Sequence, residues 1–97
     1  MTLKEKVRTY NTLTRRRAYN ILKKAKEDCV IYNVKKENTN GILYKACIFG
    51  IKLQGNEKIE IYEEIVDFNI SDDEAIDYFL RKATKELDNS HRMSYNE

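Results

Sequence analysis

The chain has 97 residues, 41% of them hydrophobic and 35% charged, with a formal net charge of +2. That is one small domain, too hydrophobic for a disordered chain and too short to enclose a roomy active site, since about two thirds of its unfolded surface is buried on folding. No apolar run approaches the roughly 20 residues of a membrane-spanning helix.

The near-neutral total conceals a split by position. Residues 1–36 carry eleven Lys and Arg against three acids, a net of +8, and residues 37–97 carry seven against thirteen, a net of −6. A basic front half is where a polyanion or an acidic partner docks.

The first segment reads as helix. Thr2 and Glu5 have capping-box spacing. Leu3, Val7, Tyr10, Thr14, Ala18, Ile21, Ala25 and Cys29 recur at spacings of three and four, one stripe of a 3.6-residue helix. Arg8, Arg15, Arg16, Lys23 and Lys26 fall opposite. Residues 9–14 are mostly poor helix formers, and Asn11 or Thr12 suits the cap of a fresh helix running to about Lys26. The front is therefore one helix, two helices, or a loose arm followed by one helix.

A β region follows. Residues 29–34 are a largely apolar, β-branched run. Residues 36–41 read as a turn, with Asn40-Gly41 tolerating positive φ. Residues 42–53 are a long strand whose Gly50 suggests a bulge. Residues 54–57 are a second turn. Residues 58–68 are a third strand that alternates cleanly at first and slips at Glu63-Glu64-Ile65-Val66, where a bulge or break is expected.

The last helix opens on a second capping box, Ser71 and Glu74, with Ile70 placed to staple onto Ala75. Asp72, Asp73 and Glu74 suit its positive end. Ala75, Ile76, Phe79, Leu80, Ala83 and Leu87 form its apolar face, and it is expected to stop near Asp88 or Asn89. The domain spans residues 1–89, with residues 90–97 read as a mobile tail.

The fold class is α+β: a three-stranded antiparallel meander with an N-terminal and a C-terminal helix, in the order α-β-β-β-α. That order is similar to double-stranded-RNA-binding domains, a resemblance that implies basic residues at the start of the second helix to meet phosphate. This chain has Asp72, Asp73 and Glu74 there, so the likeness is one of topology and brings no site residues.

The central strand is apolar on both faces, with Ile42, Tyr44, Ala46 and Ile48 on one and Leu43, Cys47, Phe49 and Ile51 on the other. Both faces need cover. Two helices on opposite faces supply it; two on one face leave an apolar surface for a partner or a second copy. A sheet edge offers another route, by strand addition.

One constellation could carry chemistry. Arg15, Arg16, Arg17, Lys23, Lys24 and Lys26, interleaved with Tyr10 and Tyr19, could track a phosphate backbone and stack on bases. The same residues also suit a solvated helix face, or pairing with the acidic half of their own fold. The acids lack the spacing of a calcium loop. Cys29 and Cys47 read as reduced, small, buried hydrophobes. His91 lies in the tail, and no nucleophile elbow, P-loop or zinc-protease pattern occurs. No catalytic, cofactor-binding or metal-binding residue is assigned, and no secretory segment is visible, so a non-enzymatic cytoplasmic protein is expected.

Residues 44–51, Tyr-Lys-Ala-Cys-Ile-Phe-Gly-Ile, followed by residues 64–71, Glu-Ile-Val-Asp-Phe-Asn-Ile-Ser, and a helix resemble a small uncharacterised family of spore-forming Firmicutes. The resemblance covers residues 42–90 and implies a bacterial accessory protein; that family has no assigned activity.

Taken together, the sequence leads to a small binding or regulatory module acting through protein–protein contact, with a protein partner or itself as a homodimer. The alternative is a nucleic-acid-binding protein that uses the basic N-terminal helix.

Overall fold

The computed structural model describes residues 3–53 and 58–95, with side chains described as far as Glu86. Thr2 of the first capping box and the turn at residues 54–57 lie outside the described residues.

The N-terminal stripe is not one helix. Leu3–Lys6 forms a single 3₁₀ turn, and Val7–Tyr10 is a strand, β1, before the helix α1 at Arg15–Lys24. The β-branched and aromatic residues of β1 pair in parallel with the next strand, Val7 opposite Val30 and Tyr10 opposite Asn33. That ladder supplies hydrogen bonds that a helix through residues 9–14, with their low propensity, would have to supply alone. Buried Asn33 ties the end of β1 down, its Nδ2 donating to the Tyr10 carbonyl at 2.8 Å.

After α1 come β2 (Cys29–Thr39), β3 (Ile42–Lys52) and β4 (Ile59–Asp67), then the helix α2 (Asp72–Tyr95). The three strands form the expected antiparallel meander, but β1 makes the sheet four-stranded and mixed, in the order β1-β2-β3-β4. The expected α-β-β-β-α order is thus corrected to β-α-β-β-β-α.

The first β-turn is tighter than expected. β2 runs to Thr39, leaving Asn40-Gly41 as a two-residue turn with φ of 54° and 83°, the mirror-image hairpin turn those residues favour. The Asn38 side chain closes it by accepting from Gly41 N–H at 3.0 Å.

Neither expected bulge exists. The β3–β4 register is constant from Tyr44 opposite Asp67 to Lys52 opposite Ile59. The slipped alternation at residues 63–66 has another cause: Glu63 and Ile65 are on the sheet face that α1 covers elsewhere, but beyond its reach. Both are exposed, while Glu64 on the opposite face is neutralised by Lys82.

Gly50 is regular strand, paired with Ile31 and Ile61. It is small because α1 sits on it: a Cβ there would lie 2.7 Å from Leu22 Cδ1 and 3.3 Å from Ile31 Cγ1.

The two helices cover opposite faces of the sheet. Leu13, Ala18 and Leu22 pack on Ile31, with Ile48, Ile59 and Ile61 beside them. On the other face Ala75, Ile76, Phe79 and Ala83 of α2 pack on Val30, Tyr32, Cys47, Phe49 and Ile51. Phe79 is the centre of that layer, stacked on Phe49 at 5.5 Å with Tyr32 and Tyr62 at 6.5 and 6.4 Å. Burying each such ring contributes about 1.5–3 kcal/mol, so α2 is anchored chiefly by one residue and its neighbours.

α2 begins as its sequence predicts. Ser71 Oγ accepts from Glu74 N–H at 3.2 Å and donates to the Glu74 carboxylate at 3.1 Å. It runs past Asp88 and Asn89 to Tyr95, because neither Gly nor Pro stands there to end it.

The basic face of α1 as a candidate binding site

Thr14 caps α1, its Oγ1 accepting from Arg17 N–H at 3.1 Å. The buried stripe is Ala18 and Leu22, four residues apart. The helical repeat then places two rows on the outside: Arg15, Tyr19 and Lys23, and beside them Arg16, Asn20 and Lys24. All six of these residues are exposed, as is Lys26 just beyond the helix. Tyr19, at 47% exposure, lies between two cations with its ring open to solvent.

The structure divides the six predicted cations. Arg17 is committed to the fold: its Nη1 donates to the Thr12 carbonyl at 3.0 Å and its guanidinium lies 5.6 Å from the Tyr10 ring. It fixes the loop between β1 and α1. The side chains of Arg15, Arg16, Lys23, Lys24 and Lys26 make no hydrogen bond or ion pair with any other described residue.

The acidic half takes its cations from elsewhere. Asp72 pairs with Lys45 at 3.3 Å, Asp77 with Lys4 at 3.4 Å, Glu60 with Lys58 at 3.1 Å and Glu64 with Lys82. None of these cations belongs to α1, so the basic face is not consumed by the chain's own acids among the described residues.

The placement of the arginines opposes the helix dipole. Arg15, Arg16 and Arg17 fill the first turn of α1, where the macrodipole is positive, and no acid accompanies them. α2 has the favourable arrangement, with Asp72, Asp73 and Glu74 in its first turn. At the other end of α1, Lys52 Nζ donates to the Ala25 carbonyl at 2.7 Å, a cation where the dipole favours one.

Neither described cysteine is an activated thiolate. Burial pushes the Cys29 thiol up against the opposing pull of Arg8 and then Lys52, and burial also raises Cys47, whose Sγ lies 3.5 Å from the Tyr32 hydroxyl. No cluster of three or more His, Cys, Asp or Glu with metal-binding geometry occurs among the described residues. No described helix is long and apolar enough to cross a membrane. His91 lies beyond the described side chains.

Sequence reasoning missed Lys45, a buried lysine whose Nζ donates to the Ile70 carbonyl at 2.7 Å and to Asp72 Oδ1 at 3.3 Å. A lone Lys in an apolar strand was its only signal. No protein-family model, no curated protein and no solved structure matches this chain.

Proposed function

We propose that this chain is a binding module whose contact surface is the exposed face of α1 and whose ligand is the phosphate backbone of a nucleic acid. The observation that carries the reading is the position of Arg15 and Arg16. They are exposed, lack partners among the described residues, and occupy the end of α1 where a cation is least favourable to the helix. A phosphate removes that penalty, because an anion is attracted by both the guanidinium groups and the helix end. Lys23, Lys24 and Lys26 extend the surface by about 12 Å along the helix from Arg15 to Lys23. Tyr19 supplies a ring on which an unpaired base stacks, which favours single strands over duplex.

The test is fluorescence anisotropy with labelled single-stranded and duplex DNA and RNA over a salt series. Five phosphate contacts correspond to a log–log salt slope of about −4.5 on duplex and about −3.5 on single strands. R15Q/R16Q lowers the magnitude of the slope by between one and two. Absence of binding at low salt, where phosphate contacts are strongest, would sink the proposal.

Contact with a protein through the sheet is the second reading. The apolar faces of β3 from Cys47 to Ile51 are covered within the chain, which removes the first argument for a dimer. What favours protein contact is the far end of the sheet, where Ile42, Leu43 and Ile65 are 69%, 50% and 69% exposed.

A further inference from the structure

β4 is an edge strand. It pairs with β3 along all nine residues, and no described residue pairs with its other side. Its edge opens on a groove of about 520 Å³ between β4 and α2. The apolar part of the groove is Val66, Ile70, Ala75 and Tyr78. Its charged part is Glu64, Glu74 and Asp77 with Arg81, and of these acids Glu64 is already paired with Lys82 and Asp77 with Lys4. Glu63 and Asp67 point to the opposite face of the sheet, exposed and without ion-pair partners among the described residues, with exposed Ile65 between them.

An open strand of this length pairs with whatever extended segment complements it. A second copy of β4 complements it poorly. Residues directly opposite in an antiparallel pair lie on one face, so a two-fold pairing of β4 with itself has three registers that match seven or more residues. Those registers set Glu60 against Glu64, Glu63 against Glu63, or Glu64 against Glu64. Each opposes two carboxylates, and in the full-length register these are the unpaired Glu63 side chains.

We infer that β4 and its groove take an extended basic segment of a partner protein as a fifth strand. The side-chain order on β4 specifies the segment. Basic residues face Glu63 and Asp67, and an apolar residue between them faces Ile65. The pattern is basic-x-apolar-x-basic at strand spacing.

The probe is a blocked peptide, Lys-Thr-Val-Thr-Lys-Thr-Val-Thr-Lys, which reads the same in both directions and so matches either strand orientation. Its control replaces both Val by Pro, keeping the charge and removing the strand. Amide chemical shifts of the isotope-labelled protein are followed during titration. The expected result is half-saturation below about 1 mM, with shifts confined to β4 and the facing side of α2, and loss of binding with the prolyl peptide. E63K/D67K weakens binding roughly tenfold or more, and E63K alone does so to a lesser degree while keeping the bond that Asp67 Oδ1 accepts from Asn69 N–H at 2.8 Å. No binding by 1 mM, equal binding of the prolyl peptide, or shifts clustered at Ile42 and Leu43 overturns the assignment. So does a change in the β4 shifts with protein concentration alone, which makes the occupant a second copy.

Discussion

Gly50→Ala tests the seat of α1 on the sheet. The added Cβ meets Leu22 Cδ1 at 2.7 Å and Ile31 Cγ1 at 3.3 Å, and both residues are fully buried. The clash is with the tip of a side chain, which could swing away in open space; here the tip is enclosed by Ala18 and Ile31 with Ile48 and Ile61 alongside. Overpacking of this kind costs about 1–3 kcal/mol. Against it stands the gain of about 0.5–1 kcal/mol that Ala brings over Gly in a strand, because Gly50 has no positive φ to protect. The centres of the two ranges leave a net loss of about 1.3 kcal/mol. For a urea slope near 2 kcal/mol/M, the midpoint falls by about 0.6 M. Circular dichroism at 222 nm follows it, since the chain has no Trp. Leu22→Ala costs about 2–5 kcal/mol alone, but in the double variant the new methyl occupies space that Leu22 vacated. The double variant is therefore more stable than the sum of the single losses by about 1–2 kcal/mol. An unchanged midpoint in Gly50→Ala, or strict additivity in the double variant, refutes the packing of Leu22 on Gly50.

Three further outcomes are expected. Arg15→Gln with Arg16→Gln leaves stability unchanged or raises it by up to about 1 kcal/mol, because two cations leave the positive end of α1, while nucleic-acid affinity falls; a destabilised double variant contradicts the placement. Lys45→Met deprives the Ile70 carbonyl of its charged donor and lowers the urea midpoint by the equivalent of about 1–3 kcal/mol; Asp72, 56% exposed, stays solvated and adds little. In an alkaline titration read by phenolate absorbance, Tyr62 is pushed up to about 12 by burial and then by Glu60, and burial also raises Tyr32, so both ionise above the ordinary tyrosine range near 10. The folded chain then holds protons that the unfolded chain releases near pH 10, so the stability from Tyr62 is complete below about pH 10 and is lost as the pH climbs to about 12. Seven tyrosines titrating together near pH 10 in the folded protein would contradict this.

The parts of the fold legible in the sequence are those whose causes are local. The start of α2 is written in Ser71, Glu74 and Ile70, within six residues of one another, and the hairpin in Asn40-Gly41. The opposite apolar faces of β3 are a property of alternation alone. β1 was hidden because its strand character depends on Val30 to Asn33, more than twenty residues away in the chain, while its own residues also fit a helical stripe. The role of Gly50 is illegible for the same kind of reason: nothing near it in sequence announces Leu22, and a glycine in a strand suggests a bulge unless the helix above it is known. The end of α2 depends on the absence of a stop signal, and an amphipathic pattern that fades is easily taken for one.

The candidate site divides in the same way. The six cations of residues 15–26, the acids of residues 57–77 and the tyrosines among them are matters of composition and order, determined by the sequence itself. Which of those charges are free is a tertiary question, because an ion pair needs two side chains brought within a few ångströms by elements far apart in the chain. The fold gave Asp72 to Lys45, Asp77 to Lys4 and Glu64 to Lys82, tied Arg17 to the loop before α1, and left Arg15, Arg16, Lys23, Lys24 and Lys26 facing solvent. It also placed β4 at the edge of the sheet, where an acidic strand that looks like one more rung of the meander becomes a surface. The charge separation was therefore the sequence's doing, and its availability for binding was decided by packing, since only the folded chain determines which charges are already neutralised.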